Sequence, residues 1–475
     1  MYNPHPVATQ RASGDASKAL RARQQARVLA LLRRYGWNST SFQVLEPGLR
    51  YHFAGSDACV AYVDTGDALV VAGAPIAPEE RIGEVAERFA AFARRCGKRL
   101  RFFAVADRFL EQTPYEAIQV GEQPSWDPAE WEAILRGSRS LREQLRRARA
   151  KGLRVRPLQP EEIAAGPARE RIERLIARWL GAKQMAPMGF LVQLQPFTFP
   201  AERRLFVAEQ AGRIVGFLAA VPIYARQGWF FEDLLRDPVA PNGTAESLVD
   251  AAMRAAAEEG SRYVTLGLAP LAGVSGWLAS VGRWSRGLYD FAGLAAFKAK
   301  LRPRSWEPIY LAHPRGELGL AAIADTLAAF SRGGLLRFGV ETLLRGPTVV
   351  IEFLAAALVP WTILLTFAGG RFFPSPWIHW FWIVFDAALF VALLRLARRW
   401  SHRLATALAA VVTADAAATW LQALAWNLPR LEGAADGVAI VLGVLAPTIA
   451  AVLLWRARRH RLRVASLGEA SRTAP

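Results

Sequence analysis

Polar and apolar positions alternate along most of the chain, but beyond residue 345 the alternation gives way to long apolar runs. Four runs, at about 347–368, 377–397, 404–427 and 437–456, are each close to the ~20 residues a helix needs to cross a bilayer. Ahead of them the pattern is mixed α/β. Ala58–Val63 and Ala68–Ala72 read as strands meeting at a Thr-Gly-Asp turn. Glu79–Cys96 places Ile82, Val85, Ala86, Phe89 and Ala93 at helical spacing, and Arg101–Val105 reads as a further buried strand. A second unit, richer in the same elements, follows. Arg204–Glu209 and Ile214–Val221 read as a hairpin and Trp229–Leu235 as a third strand. The turn Pro241-Asn242-Gly243 then leads into a helix over Thr244–Glu259, with Thr244 as its N-cap and Leu248, Val249, Ala252, Met253 and Ala256 facing inward. Arg262–Leu268 is the next strand.

The two units are joined by a segment expected to form one helix over Asp127–Lys151. Arg139, Arg142, Arg146 and Arg149 fall within one arc of about 80° on it, beside an apolar arc of Ile134, Leu141, Leu145 and Ala148. Only Glu143 interrupts Arg136–Lys151, whereas a merely solvated face mixes in more acids, so the stripe reads as a phosphate-contacting track. Its ligand is either tRNA or anionic lipid headgroups. The expected organisation is a basic, disordered arm over 1–34, a first α/β domain over 35–126, the linker helix over 127–156, and a second, catalytic domain over 157–315. A juxtamembrane segment over 316–345, four spans over 346–457 and a basic tail over 458–475 complete it.

Composition sharpens this division. The 475 residues carry 59 Lys+Arg against 41 Asp+Glu, a formal charge of +18, yet 52% are hydrophobic. A basic surplus of this size favours polyanionic partners, nucleic acid or an anionic lipid surface. The first 20 residues lack an apolar core, so no cleaved secretion signal is expected. Arginines concentrate on one side of the four runs: Arg332, Arg337 and Arg345 before the first, Arg395, Arg398, Arg399 and Arg403 between the second and third, and Arg456, Arg458, Arg459, Arg461 and Arg463 after the fourth. The other loops hold Arg371 and Arg430, so both termini are expected in the cytoplasm. Trp377, Trp380 and Trp382 read as an interfacial belt, and Glu352, Asp386 and Asp415 as polar groups that pair between helices or line a polar path.

Candidate chemistry lies in the second unit. Glu232, Asp233, Asp237, Glu246 and Asp250 are the acidic candidates. Of these, Asp233, Asp237 and Glu246 are the candidate catalytic carboxylates, Asp233 and Asp237 standing at a strand end. Strand alternation points Asp233 away from Glu232, and Glu246 also suits the positive end of a helix. Asn242, Gly243 and Asp250, with Lys298 and Lys300, are candidate substrate-binding residues; the lysines share a face if their segment is extended. Trp306 and Tyr310 read as core closures. Six dispersed histidines, and Cys59 and Cys96 without metal-like spacing, indicate neither a metal site, a disulfide framework nor a Ser-His-Asp set.

Strand, strand, helix, strand is the core order of the N-acetyltransferase-like (GNAT) fold. Those enzymes hold the pyrophosphate of coenzyme A at a glycine-rich strand–helix junction, where this chain has Ala-Pro-Asn-Gly-Thr-Ala with a single glycine. Stronger signals are the strings SRSLREQLRRARAKGLRVR (138–156), KQMAPMGFLV (183–192), FFEDLLRDPVAPNGTAESLVDAAM (230–253) and YVTLGLAPLAG (263–273). To these is added GLYDFAGLAAFKAKLRPRSWEPIYL (287–311). Together they resemble the C-terminal synthase domain of bacterial phosphatidylglycerol lysyltransferases, the multiple peptide resistance factor family, over roughly 35–315. The resemblance implies an α/β (α+β) fold of tandem GNAT-like domains, here followed by a four-helix transmembrane region. It implies transfer of an amino acid from aminoacyl-tRNA to a lipid hydroxyl of an anionic phospholipid, phosphatidylglycerol, without metal or redox cofactor, at the bacterial inner membrane. Large family members carry many N-terminal spans, whereas here four spans follow the synthase. The competing readings are an acyl-CoA-dependent N-acyltransferase and a non-enzymatic, membrane-tethered binder of anionic lipid or RNA.

Overall fold

The computed structural model describes residues 7–181, 188–275, 290–331, 334, 338–339, 347–367 and 372–473. It divides into an α/β unit and a helical unit made mainly of residues beyond 335. Parts of two family-like strings, 183–187 and 287–289, and the flanking Arg332, Arg337, Arg345 and Arg371 lie outside the described residues.

A single twelve-stranded sheet organises the α/β unit. Its strands are β1 (Arg50–Phe53), β2 (Cys59–Asp64), β3 (Ala68–Ala72), β4 (Arg99–Val105), β5 (Glu116–Trp126), β6 (Arg154–Pro157), β7 (Arg204–Gln210), β8 (Arg213–Ile223), β9 (Gly228–Arg236), β10 (Tyr263–Thr265), β11 (Ala269–Pro270) and β12 (Ser305–His313). They run in the order β1-β2-β3-β4-β12-β5-β10-β9-β8-β7-β6, with β11 added on β5. Each half is an antiparallel meander whose last strand crosses through a helix to a parallel neighbour. In the first half the crossover helix joins β3 to β4, and in the second it joins β9 to β10. This is the tandem acetyltransferase-like arrangement the alternating pattern implied. Strand β12, last in sequence, lies between β4 and β5, and β5 pairs with β10 so that the two halves share one sheet.

Among the described residues the longer helices of this unit are α1 (Val7–Tyr35), α2 (Ile82–Arg95), α3 (Trp131–Gly137), α4 (Arg139–Ala150), α5 (Pro167–Gly181), α6 (Thr244–Glu258), α7 (Phe291–Lys300) and α8 (Gly319–Phe330). The apolar face of α2 (Val85, Ala86, Phe89, Ala93) packs with Phe102 and Phe109 in the first core. Leu141 and Leu145 of α4 pack with Leu248, Val249 and Met253 of α6 and with Trp126 and Trp131 in the second.

Several expectations change. From Val7 onward the arm is helix α1, and Val28, Leu31 and Leu32 near its C-terminus bury against Phe42 and Val44. The linker breaks at Ser138, buried and in an extended conformation (φ −116°, ψ 91°), into α3 and α4. Thr244 is the first residue of α6, not its cap; Gly243 (φ +99°) takes the cap position, and the Thr244 hydroxyl donates to the Pro241 carbonyl at 2.7 Å. Such a φ favours glycine. The segment carrying Lys298 and Lys300 is helix α7, not a strand, so residues two apart do not share its face. Tyr310 packs at the edge of the first core, as expected.

The juxtamembrane segment contains α8, held to the sheet by a buried charge cluster. Arg101, fully buried on β4, donates from Nε to Asp325 at 3.0 Å and pairs with Glu317 at 2.5 Å. Arg99 grips both oxygens of Asp325 at 2.7 and 2.9 Å. Burial opposes charge on Asp325, yet these guanidiniums hold its carboxyl below the usual range.

In the helical unit, α9 (Pro347–Phe367), α10 (Pro376–Arg398), α11 (His402–Gln422) and α12 (Ala434–Thr473) form the four membrane-length helices. Leu389, Leu393, Leu408 and Val412 lie at their common core. Trp377 and Trp380 are largely exposed, Asp386 is buried, and Asp415 accepts from the Thr419 hydroxyl at 3.3 Å. The basic tail continues α12.

Arg101→Met should destabilise the chain by about 3 kcal/mol, the low end for breaking a buried pair because Arg99 stays on Asp325. The check is the thermal unfolding midpoint of the detergent-solubilised full chain, which should fall.

Candidate functional site

A bulge in β9 creates the most unusual site of the α/β unit. Asp233 pairs with Ala219 and Phe231 with Ala220, leaving Glu232 as an extra residue on β9. A bulge breaks the alternation of side chains along a strand. Glu232 and Asp233 therefore act on the same buried neighbour, Glu46, rather than pointing apart as strand alternation predicted. Glu46 follows a 3₁₀ turn (Ser39–Leu45) of the first half, so the cluster joins residues about 190 positions apart on one seam. One cation accompanies the three acids. Arg203 donates to Glu232 Oε2 at 2.6 Å and to the Thr198 carbonyl at 2.8 Å, with its guanidinium over the Phe42 ring.

The balance of charge is poor for a closed protein interior. Glu46 is 2% exposed and Asp233 6%, and the Glu232 side chain is 6% exposed. As ionised carboxylates, both Glu46 oxygens, Glu232 Oε1 and Asp233 Oδ2 meet no donor among the described residues, and the proton that Glu46 keeps is shared with Glu232. The Thr40 hydroxyl, nearby in sequence, likewise has no partner among them. Burial first, then the charges of Glu232 and Asp233, push the Glu46 carboxyl up to about 9. Burial and Glu232 likewise raise Asp233 well above the ordinary carboxylate range, against the pull of Arg203. Carboxyl groups held this way accept a cation readily, because its arrival restores their charge. Among the described residues no group of His, Cys, Asp and Glu is arranged to hold a metal ion.

The remaining candidates sit elsewhere. Asp237, just past β9, is buried and accepts from Arg178 Nε at 2.8 Å. Glu246 accepts from Lys300 Nζ and from Gln144 Nε2, both at 2.9 Å. Asp250 accepts from Trp131 Nε1 at 2.9 Å, from Arg254 at 3.1 Å and from Arg149 at 3.2 Å. Glu246 and Asp250 thus tie α6 to the linker helices. Asn242 is exposed and accepts from Arg236 at 3.4 Å. Gly243 lies under α4, where a Cβ would come within 2.9 Å of the Gln144 carbonyl oxygen. The start of α6, the counterpart of the coenzyme A pyrophosphate site, is therefore covered by the linker.

All four arginines of the stripe are exposed, Arg142 donating to the Leu135 carbonyl at 2.7 Å, Arg146 pairing with Glu143 at 2.8 Å and Arg149 with Asp250 at 3.2 Å. Lys298 turns inward. Its Nζ donates to the carbonyls of Leu266, Gly267 and Leu268 at 2.8–2.9 Å, and burial lowers its pKa to about 7. These carbonyls follow the last residue of β10 paired with β9, so Lys298 fixes the backbone where the two parallel strands part.

Reading the sequence missed Glu46 and Arg203, which lie outside any motif. The adjacent acids Glu232-Asp233 on an otherwise apolar strand were the visible signal.

Fold and site together define a tandem acetyltransferase-like unit with an acidic seam, linked in one chain to membrane-length helices. Residues 29–313 match the family model described as phosphatidylglycerol lysyltransferase, C-terminal, and the chain belongs to that family. It is 26% identical over 305 residues to the phosphatidylglycerol lysyltransferase of Bacillus subtilis (strain 168), covering 60% of this chain and 35% of that relative. It is also 26% identical over 287 residues to the lysylphosphatidylglycerol biosynthesis bifunctional protein LysX of Nocardia farcinica, covering 55% of this chain and 23% of that one. The chain thus spans about a third or less of the length of these relatives. Its fold is similar to the crystallised C-terminal domain of a putative lysylphosphatidylglycerol synthetase from Agrobacterium fabrum (TM-score 0.57, 23% identity, 66% of this chain and 99% of that one). L-PGS from Bacillus licheniformis shares it as well (TM-score 0.54, 22% identity, 64% and 95%).

The seam also sets a pH dependence. Folded Glu46 keeps a proton that the unfolded chain loses above 4.5, so its contribution to stability is complete below that value and is lost as pH rises towards about 9. Glu46→Gln removes this loss. The variant should unfold at a higher temperature than the parent near pH 8 but not near pH 4, the gap widening by at most about 1.4 kcal/mol per pH unit.

Proposed function

We propose that this chain is a membrane-anchored aminoacyltransferase that moves a lysine-like amino acid from aminoacyl-tRNA to a hydroxyl of phosphatidylglycerol. The observation that carries the reading is the seam of Glu46, Glu232 and Asp233, whose buried oxygens, once ionised, meet too few donors among the described residues. Fully ionised, three carboxylates against the guanidinium of Arg203 leave two negative charges. A lysyl ester carries two positive ones, on its α- and ε-ammonium groups. Seating both would complete the hydrogen bonding of the seam and restore its charge.

The transfer is a transesterification. A lipid hydroxyl oxygen attacks the aminoacyl carbonyl carbon, its proton leaves to an acceptor, and the bond to the tRNA 3′ ribose oxygen breaks as that oxygen takes up a proton. With the ammonium groups anchored at the seam, the ester is held in place for attack, which lowers the entropic part of the barrier. Asp233 then belongs to the donor-binding group, and Asp237, Glu246 and Asp250 hold the surrounding helices. The exposed Arg139, Arg142 and Arg146 suit the phosphates of the RNA, and the arginine-rich flanks of the spans favour cytoplasmic termini, on the side where charged tRNA is found. A coenzyme A donor is disfavoured by the linker lying over Gly243.

The test uses membranes containing the full chain, tRNA charged with labelled amino acids, and extraction of lipid with and without ribonuclease. Label should enter lipid only with intact RNA and most strongly from lysine. Glu46→Gln and Asp233→Asn should each cut transfer by about 10- to 100-fold, the scale of losing a charged hydrogen bond. Undiminished transfer after ribonuclease, or in both variants, would refute the reading.

A further inference from the structure

Helix α8 has its polarity turned inside out. Its sequence, Gly319–Phe330, contains one ionisable residue, Asp325, and that residue faces the sheet, where Arg99 and Arg101 grip it. Thr326 is also buried and donates to the Ala322 carbonyl at 2.8 Å. At its far end, Phe330 packs edge-on against Phe103 and Phe190, and the Phe330 carbonyl accepts from the Gly189 amide at 2.8 Å. The polar face is thus the docked face, and the helix is fixed at both its middle and its end. Outward it shows Leu320 at 65% exposure and Leu327 at 51%, with exposed Ala324 between them and Leu318 at 77% just ahead. Positions 320, 324 and 327 fall at i, i+4 and i+7 and form one stripe. A surface helix of a soluble domain places these residue types the other way round.

We infer that α8 is an in-plane membrane helix, its Leu318–Leu320–Leu327 face seated at the boundary between lipid headgroups and acyl chains. Three observations select a bilayer as the occupant. The chain itself supplies one: the 16 residues 331–346 lead from α8 to the membrane-length helix α9. The sequence around α8 holds Arg315, Arg332 and Arg337, as suits anionic headgroups, has no acid between Asp325 and Glu341, and its one preceding acid, Glu317, is paired with Arg101. Finally, the one charge that would resist burial in lipid is already neutralised on the opposite face. Seated so, α8 would hold the β3-β4-β12 part of the sheet at a fixed angle to the lipid surface, since Asp325 couples it to β4.

The test places single cysteines at Leu320 and Leu327 of the full-length chain in a Cys96→Ser background; Cys59 is buried. Each is labelled with a polarity-sensitive fluorophore and reconstituted into vesicles of phosphatidylethanolamine and phosphatidylglycerol. The reference is the same label on native Cys96, exposed at the end of α2. Lipids spin-labelled near the headgroup should quench the α8 labels several-fold more than the Cys96 label, and aqueous iodide should quench them several-fold less. Quenching by iodide equal to that at Cys96 would overturn the inference. Protection from both quenchers would overturn it too, in favour of a protein cover such as a second copy of the chain. Thermal unfolding midpoints matching the parent establish that the labelled variants are folded.

Discussion

Charge without matching countercharge, buried where the two halves of the sheet meet, is the constraint around which the α/β unit is organised. Glu46 comes from the first half, Glu232 and Asp233 from the second, and Arg203 from the connection leading into β7. A cluster of this kind weakens the folded state, because desolvated carboxyls either give up their charge or go without partners. Its cost has to be met by packing elsewhere, and four apolar cores lie along the sheet. Such local instability at a seam is a common mark of a site kept for a ligand.

Elsewhere in the unit charge is matched with care. Arg101 is as buried as any residue of the seam, yet two carboxylates meet it. Lys298 is satisfied by three carbonyls, and Glu246 by a lysine and an amide. Among the described residues, the same fold that pairs its structural charges leaves acidic oxygens short of donors only at the seam.

Much of the architecture was legible because it rests on local periodicity. The strands β2 to β4 and β7 to β9, the helices α2 and α6 and the four membrane-length helices all announce themselves through apolar spacing. Three features were hidden for a shared reason, that non-local contacts decided them. The N-terminal arm lacks an amphipathic pattern over most of its length, yet it is helical from Val7 and anchored where Val28, Leu31 and Leu32 find the first-half core. Lys298 sits in a segment of ambiguous period, and tertiary burial makes it helical. The Glu232 bulge is one residue of mismatch between two strands, invisible in either strand alone. Of the site, the acids on β9 could be read from sequence, whereas their partner Glu46 could not, since no spacing links a turn at one end of the domain to a strand near the other.

The placement of β12 carries a consequence for how the chain comes into being. Strands β4 and β5 are neighbours in sequence, but the gap between them is filled by a strand that begins only at Ser305. During synthesis the first half therefore waits with two open strand edges until nearly the whole α/β unit has left the ribosome, and open edges invite pairing with other chains. Residue 313 ends that strand, and the apolar helices begin at Pro347. Closure of the sheet and delivery of the first membrane-length helix thus fall within a few dozen residues of each other. The chain becomes a finished α/β unit at almost the same moment that it becomes a membrane protein.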